Sequence, residues 1–329
     1  MLYSIAEVAN LLGVHPRTIQ RWEADQKVPS PTRNPKGYRI YTEQDLAHLR
    51  SFKDSMSDSP GITSPSSSGP RVIAIVNQKG GVGKSTTAVN LSAAIAHAGR
   101  RVLVVDLDPQ GHATFGFGID GYALSETIRD CLTDLKRPLS TIIQKTAIPG
   151  LHVAPSNILL STAEQEIPLV AQTIALARSL EKIRGAYDYV FIDCPPTLGL
   201  LTMNALVAAP EVFVPLEPEI YALIGIQQML STISLVRDSL GNSTHVSGVI
   251  ITKYDVRKAL ARDSEKKIQS FFGDAVFSTR IRPNVRLAEA PGAGQSIFEY
   301  DPACHGAEDY RNLAEEVLAQ EQGSISAAA

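Results

Sequence analysis

Two glycine-flanking lysines and three strand-end aspartates are the residues of this chain best suited to phosphate chemistry. The run Lys79-Gly80-Gly81-Val82-Gly83-Lys84-Ser85-Thr86 lies between an apolar segment, RVIAIVNQ, and a long alanine-rich one, STTAVNLSAAIAHAG. Glycines at this density let backbone N–H groups turn inward around an anion, and a helix starting beside them adds the positive end of its dipole. The plain phosphate-loop consensus GxxxxGK[ST] fails, because its first glycine would fall on Gln78. The match is to the deviant form KGGxGK[ST]. In that frame the backbone of Gly80, Gly81, Val82 and Gly83 cradles the phosphates of ATP. Lys84 pairs with the β- and γ-phosphates, Ser85 holds Mg2+ and Thr86 meets the α-phosphate. A turn that merely closes a strand onto a helix would need no lysine on either side.

Lys79 is one lysine more than a single site needs. A physical use for it is to reach the nucleotide of a second copy, where a positive charge stabilises the transition state as an arginine finger does. Hydrolysis would then depend on dimerisation. Asp106 and Asp108, in VLVVDLDPQG, and Asp193, in YVFIDCPP, each end an apolar run, at the edge where ligands of open α/β sheets bind. Asp106 could contact the Mg2+ shell, Asp108 could position the attacking water, and Asp193 stands where a water-bridged Mg2+ contact is expected. One such aspartate alone would be better explained as a helix cap; three, downstream of the loop, are not.

The elements that must carry these residues are legible as repetition. RVIAIVNQ, RVLVVDLD, YDYVFIDCPP, AAPEVFVPLEP and THVSGVIITKY read as buried strands, each followed by a plausible helix, with Gly99 as a C-cap. Such alternation predicts a doubly wound parallel sheet. The run SMSDSPGITSPSSSGP, residues 55–70, cannot bury enough surface to offset its ordering entropy. It predicts a tether spanning roughly 20–25 Å between a small unit, 1–54, and a large one, 71–320, with 321–329 as a disordered tail. The fold class expected is thus α/β, a parallel-sheet P-loop domain behind a small, mainly helical head. Three scattered cysteines exclude a disulfide scaffold or CxxC metal site, and a net charge of −3 excludes a blanket nucleic-acid coat. No stretch is apolar enough to cross a bilayer, and MLYSIAEVAN does not read as a signal peptide. A cytoplasmic location is expected.

Together VNQKGGVGKSTTAVNLSAAIA, VLVVDLDPQGHAT, FIDCPPTLGLLTMNAL and RIRPNVRLAEAPGAGQSIFEYDPACHGAEDYRNLAEEV resemble the ParA/Soj branch of the ParA–MinD ATPases, from about Arg71 to Leu318. The resemblance implies an ATP-dependent homodimer that binds DNA without sequence preference and associates with the nucleoid. It also implies a ParB-like partner that stimulates a slow, Mg2+-dependent hydrolysis. Lys79 falls on the family's signature lysine and Asp108 on its hydrolysis-linked carboxylate. Gly80 falls on the glycine that must stay small for two protomers to meet. Arg286, in NVRLAEAP, and Arg257, in TKYDVRKAL, fall on DNA-contacting arginines, and Lys258, Arg262, Lys266 and Lys267 could widen that face. Pro283 falls on the adenine pocket, although IRPN here replaces the family's Ile-Pro-Arg-Asn.

The head reads as helix, turn, helix, wing and helix. Ile5, Val8, Ala9 and Leu12 have helical spacing, Gly13 permits a turn and Pro16 can open a second helix. Ile19 and Trp22 suit a core, and Gly37 the tip of a wing. The segment resembles the MerR winged helix-turn-helix, with Arg17, Thr18, Arg21, Tyr38 and Arg39 as candidate DNA contacts. Residues 1–60 hold eight Lys and Arg against seven Asp and Glu, a net of +1. One head alone should therefore bind DNA weakly, and dimerisation of the ATPase would supply the second. A head for protein contact is the rival reading. For the whole chain the alternatives are a repressor that autoregulates through its head, a MinD-type membrane regulator and an iron-protein-type electron carrier. LAQEQGSISAAA has no basic residues for a membrane helix, and Cys194 is single where a cluster needs pairs.

Overall fold

The computed structural model describes residues 2–12, 19, 28, 31–33, 39–57, 69–168, 171–219, 222–240 and 243–326. The chain divides into two compact units, residues 1–64 and 65–329. In the small unit β1 (Leu2–Ser4), β2 (Thr32–Arg33) and β3 (Arg39–Thr42) form an antiparallel sheet in the order β1-β3-β2. Helices Ile5–Leu12 and Glu43–Ser57 follow β1 and β3. Both start on a reciprocal cap: the N–H groups of Ser4 and Thr42 donate to Glu7 and Asp45, each at 2.8 Å. In return the Ser4 and Thr42 hydroxyls accept from the N–H groups of Glu7 and Asp45, which satisfies donors the first turn leaves open. Val8, Ala9, Ile19, Val28, Tyr41 and Leu49 close a small core. Gly13, Pro16, Trp22 and Gly37 lie outside the described residues. The second helix runs to Ser57, three residues into the segment expected to be tether.

The large unit is built on β4 (Arg71–Ile75), β5 (Val102–Asp106), β6 (Gln144–Lys145), β7 (Leu151–Ala154), β8 (Tyr189–Asp193), β9 (Glu211–Leu216), β10 (His245–Ile251) and β11 (Val276–Arg280). Their order is β11-β10-β9-β4-β8-β5-β7-β6, parallel except for the short β6. Side chains of β5 and β8 alternate between two cores. Leu103, Val105, Val190 and Ile192 face one layer of helices, and Val102, Val104, Tyr189 and Phe191 face the other. A sheet buried on both faces needs continuous apolar strands rather than alternating ones, which is why the runs were readable.

Helix Lys84–His97 packs against helix His305–Ser326 through a layer that includes Leu91, Ile95, Tyr310 and Leu313. It ends at Gly99, which takes a positive φ of 85° and donates its N–H to the Ala96 carbonyl at 2.9 Å. The last helix runs six residues into the tail expected to be disordered. Glu321 explains the extension, since its carboxylate accepts from Arg100 at 2.9 Å and from the Tyr189 hydroxyl. One residue earlier Gln320 accepts from Arg71 at 2.6 Å.

A Cβ at Gly248 in β10 would come 2.4 Å from Phe277 and 2.6 Å from Phe213, buried rings already in edge-to-face contact at 5.2 Å. Gly248→Ala should cost about 1–3 kcal/mol through overpacking. The melting temperature of the large unit should fall by several degrees in a thermal scan, and an unchanged value would contradict this packing.

Candidate nucleotide site

The loop after β4 turns sharply because Gly81 and Gly83 take positive φ values of 74° and 94°, a conformation costly for any residue with a Cβ. Helix Lys84–His97 begins at once after it. Two bonds hold the loop: the Thr252 hydroxyl, beyond β10, donates to the Val82 carbonyl at 2.8 Å, and the Lys79 N–H donates to the Asn77 side chain at 2.9 Å. The result is a cavity of about 520 Å3 lined by every residue from Gly80 to Thr86, with Asp108 at one side. Pro283, Ile281, Leu287 and Pro291 form its apolar end, suited to a flat base. Pro283, expected at the adenine pocket, is among the residues lining this cavity. Arg282, beside it, is turned to Asp309 at 2.5 Å and Glu308 at 2.5 Å.

Lys84 is buried, with Nζ 3.4 Å from the Lys79 carbonyl. Burial pushes its pKa below the usual lysine value, while Asp193 and Asp108 pull the other way. An anion in the cavity would remove the desolvation problem.

The register pairs Asp106 with Asp193 across β5 and β8, so two fully buried carboxylates end neighbouring strands. Their surroundings differ. Asp106 Oδ2 accepts from the Thr114 N–H at 2.8 Å and the Thr114 hydroxyl at 2.7 Å, and Oδ1 accepts from the Asp108 N–H at 3.1 Å. Among the described residues neither oxygen of Asp193 has a well-formed hydrogen bond. Burial raises the Asp106 pKa to about 6, with the Thr114 bonds acting against it. Asp193 is pushed well above its ordinary value by burial and then by the charge of Asp106, with the Ser85 hydroxyl acting in the opposite direction. Asp108 Oδ1 accepts from the Gln110 N–H at 2.9 Å, and its carbonyl accepts from the Ser156 hydroxyl at 2.8 Å.

Among the described residues no group of three or more His, Cys, Asp or Glu is arranged to hold a metal directly. That suits Mg2+, which keeps several waters and is bound through few protein ligands plus phosphate. The two unpartnered oxygens of Asp193, with Ser85 nearby, fit such a water shell.

Lys79 points elsewhere. Its Nζ lies 2.6 Å from Glu219 and 3.7 Å from Glu217, and Lys253 also reaches Glu217 at 3.4 Å. Arg286 and Arg257 are exposed, the first paired with Glu289 and Asp301, the second with Asp255. Lys258, Arg262, Lys266 and Lys267 are exposed on or just before helix Ala259–Phe272. In the head, Arg39 opens β3, while Arg17, Thr18, Arg21 and Tyr38 lie outside the described residues. Sequence reasoning missed Thr114, Ser156, Thr252 and the Glu217–Glu219 pair. Only Thr114 carried a signal, as the last residue of DLDPQGHAT.

A phosphate loop at the first strand of a parallel sheet, facing strand-end carboxylates, defines a P-loop ATPase. The AAA domain family matches residues 70–246 and the MerR HTH regulatory family residues 3–57. The chain is 46% identical over 250 residues to the sporulation initiation inhibitor protein Soj of Bacillus subtilis, covering 76% of this chain and 98% of that protein. It is 44% identical over 262 residues to the chromosome partitioning protein ParA of Caulobacter vibrioides, covering 79% and 98%. Among solved structures, cobyrinic acid a,c-diamide synthase of Mycobacterium smegmatis with bound ADP and magnesium superposes with a TM-score of 0.65 at 36% identity, covering 76% of this chain and 94% of that one. The Mg-ADP complex of MinD from Pyrococcus horikoshii gives 0.61 at 26%, covering 75% and 96%. The chain belongs to the ParA/Soj family of partition ATPases.

Lys84→Ala removes charge-assisted bonds worth about 1.5–3 kcal/mol. Titration with a fluorescent ATP analogue in Mg2+ should show affinity lowered by roughly 10–150-fold. Equal affinity would mean that the nucleotide does not sit in this loop.

Proposed function

We propose that this chain is a nucleotide-gated partition switch. With ATP and Mg2+ it forms a homodimer, binds duplex DNA without sequence preference, and associates with the nucleoid. A ParB-like partner stimulates hydrolysis and releases it, so that a DNA or protein cargo is segregated or positioned. The observation that carries this reading is Lys79. Its ammonium lies on Glu219, outside the cavity its own loop forms, and so is free of duties toward its own nucleotide. Gly80 supports the same reading. It has no positive φ, and a Cβ there would meet nothing within 4 Å. The fold of one chain does not require a glycine at that position; a second copy meeting it would. Gly80→Val should therefore leave the melting temperature and ATP-analogue affinity within error, yet keep the protein monomeric in ATP during analytical ultracentrifugation. A dimer in that variant would refute the interface.

DNA contact through Arg286 and Arg257 is supported by the exposure of both, and Arg257 stands two residues before helix Ala259–Phe272 with its exposed Arg262, Lys266 and Lys267. The MerR match over residues 3–57 favours a second role, an ATP-regulated repressor reading a specific site through paired heads. One experiment separates them: binding to random-sequence duplex without nucleotide and with ADP, ATP or a non-hydrolysable analogue, at two salt concentrations. Binding should require ATP and weaken steeply with salt. It should fall at least tenfold in Lys84→Ala and Arg286→Glu, and survive in a chain beginning at Arg71. Nucleotide-independent binding that vanishes with the head would favour the repressor.

A further inference from the structure

The two carboxylates at the ends of β5 and β8 stand in register on adjacent strands. Their hydrogen bonding divides them. A carboxylate offers about four lone-pair positions. Asp106 has three of its positions occupied by protein donors, two from Thr114 and one from the Asp108 N–H. Among the described residues Asp193 has none occupied by a well-formed bond, with the Ser85 hydroxyl standing nearby. Waters around a cation present hydrogens outward, so they need a carboxylate whose acceptors are free; Asp193 offers both oxygens, whereas Asp106 keeps about one position open.

The donors on Asp106 belong to a closed buried circuit. The Thr114 hydroxyl donates to Asp106 and accepts from the Ser156 N–H at 3.0 Å. The Ser156 hydroxyl donates to the Asp108 carbonyl at 2.8 Å, and the Gly111 N–H donates to the same oxygen at 2.9 Å. Thr114, Ser156 and Asp106 are fully buried, and Asp108 is 6% exposed. Gly111 is pressed against the same point, since a Cβ there would lie 3.2 Å from the Ser156 carbonyl. The turn from Asp106 to Thr114 is therefore held at both ends, by Asp106 on one side and by Ser156, riding beyond β7, on the other.

We infer that Thr114 and Ser156 are positioning residues for hydrolysis, that Asp106 is the anchor through which Thr114 acts, and that Asp193 alone receives the metal's water shell. Asp108 is the group they position: it lines the nucleotide cavity, and its carbonyl and N–H are both fixed by the circuit. This rests on the ATPase reading above and assigns the two strand-end carboxylates different work.

The test uses the full chain, a fluorescent non-hydrolysable ATP analogue titrated against Mg2+, and steady-state turnover of ATP. In Thr114→Val and Ser156→Ala turnover should fall at least tenfold, while the Mg2+ concentration for half-maximal analogue binding stays within twofold of wild type. Thr114→Ser, which keeps the hydroxyl, should recover turnover to within threefold. Asp106→Asn should follow Thr114→Val, whereas Asp193→Asn should raise the Mg2+ half-saturation at least tenfold. The inference is overturned if Asp106→Asn shifts Mg2+ half-saturation as far as Asp193→Asn. It is equally overturned if Thr114→Ser is as impaired as Thr114→Val, or if Ser156→Ala turns over normally. Wild-type protein that fails to bind the analogue in Mg2+ would instead sink the ATPase reading itself, so the two failures are distinguishable.

Discussion

Burying a carboxylate is costly unless its charge is matched, and this fold buries two in register, Asp106 and Asp193, at the ends of adjacent strands. Burial raises the pKa of both, and the charges of Asp106 and Asp108 raise that of Asp193 further. Stability alone would replace them with apolar side chains. What makes the arrangement tolerable is what surrounds it: Lys84 a short distance away, a helix N-terminus, the Thr114 donors, and a cavity able to admit a cation with its phosphates. The loop, the sheet edge and the helix after the loop all follow from this grouping. Each supplies positive charge or polar hydrogens to a point that the parallel sheet has made dry.

Much of this was legible in the sequence because the large unit obeys simple patterns. β4, β5, β8 and β9 carry continuous apolar runs and β10 ends in one, as strands covered on both faces must, and the glycine–lysine loop declares its own turn. The pieces that escaped are those whose signal is short or made in three dimensions. β1, β6 and β7 have three, two and four residues, too few for a period to show. β11, VFSTR, is half polar. The tail beyond residue 320 looks featureless in composition, but pairing of Glu321 with Arg100 and Tyr189 carries the helix onward. Thr114 and Ser156 are ordinary residues in ordinary contexts, and only the meeting of the β5 and β7 ends reveals that they grip one turn.

Under the proposed function, an acidic chain that binds DNA only when dimeric needs a reason for the single copy to bind poorly. Both carried-over arginines already have local acids: Arg286 has Glu289 and Asp301, and Arg257 holds Asp255 so firmly that its pKa falls to about 2. Each guanidinium therefore brings less net charge to a phosphate than an isolated one would. Since DNA affinity rises steeply with the number of phosphates neutralised, doubling a half-compensated face has a disproportionate effect. The net charge of −3 is then compatible with the proposed function, in which it would suppress binding by the monomer.

The same economy governs Lys79. Its partner Glu219 is as accessible as the lysine itself, 48% against 46% exposed, so the pair sits in water rather than in the dry site. Exposed ion pairs contribute about 1 kcal/mol or less. A phosphate brought up by a second copy, in a gap that excludes solvent, offers a stronger partner because charge-assisted bonds gain strength as the dielectric falls. Lys79 is thus held, but weakly enough that the proposed dimer could take it. A tighter clamp would oppose the dimer, and no clamp would leave a long side chain to be ordered at the moment of assembly, at a side-chain entropy cost of about 1.5–2 kcal/mol. The observed contact lies between these limits, where the signature lysine is pre-ordered and still exchangeable.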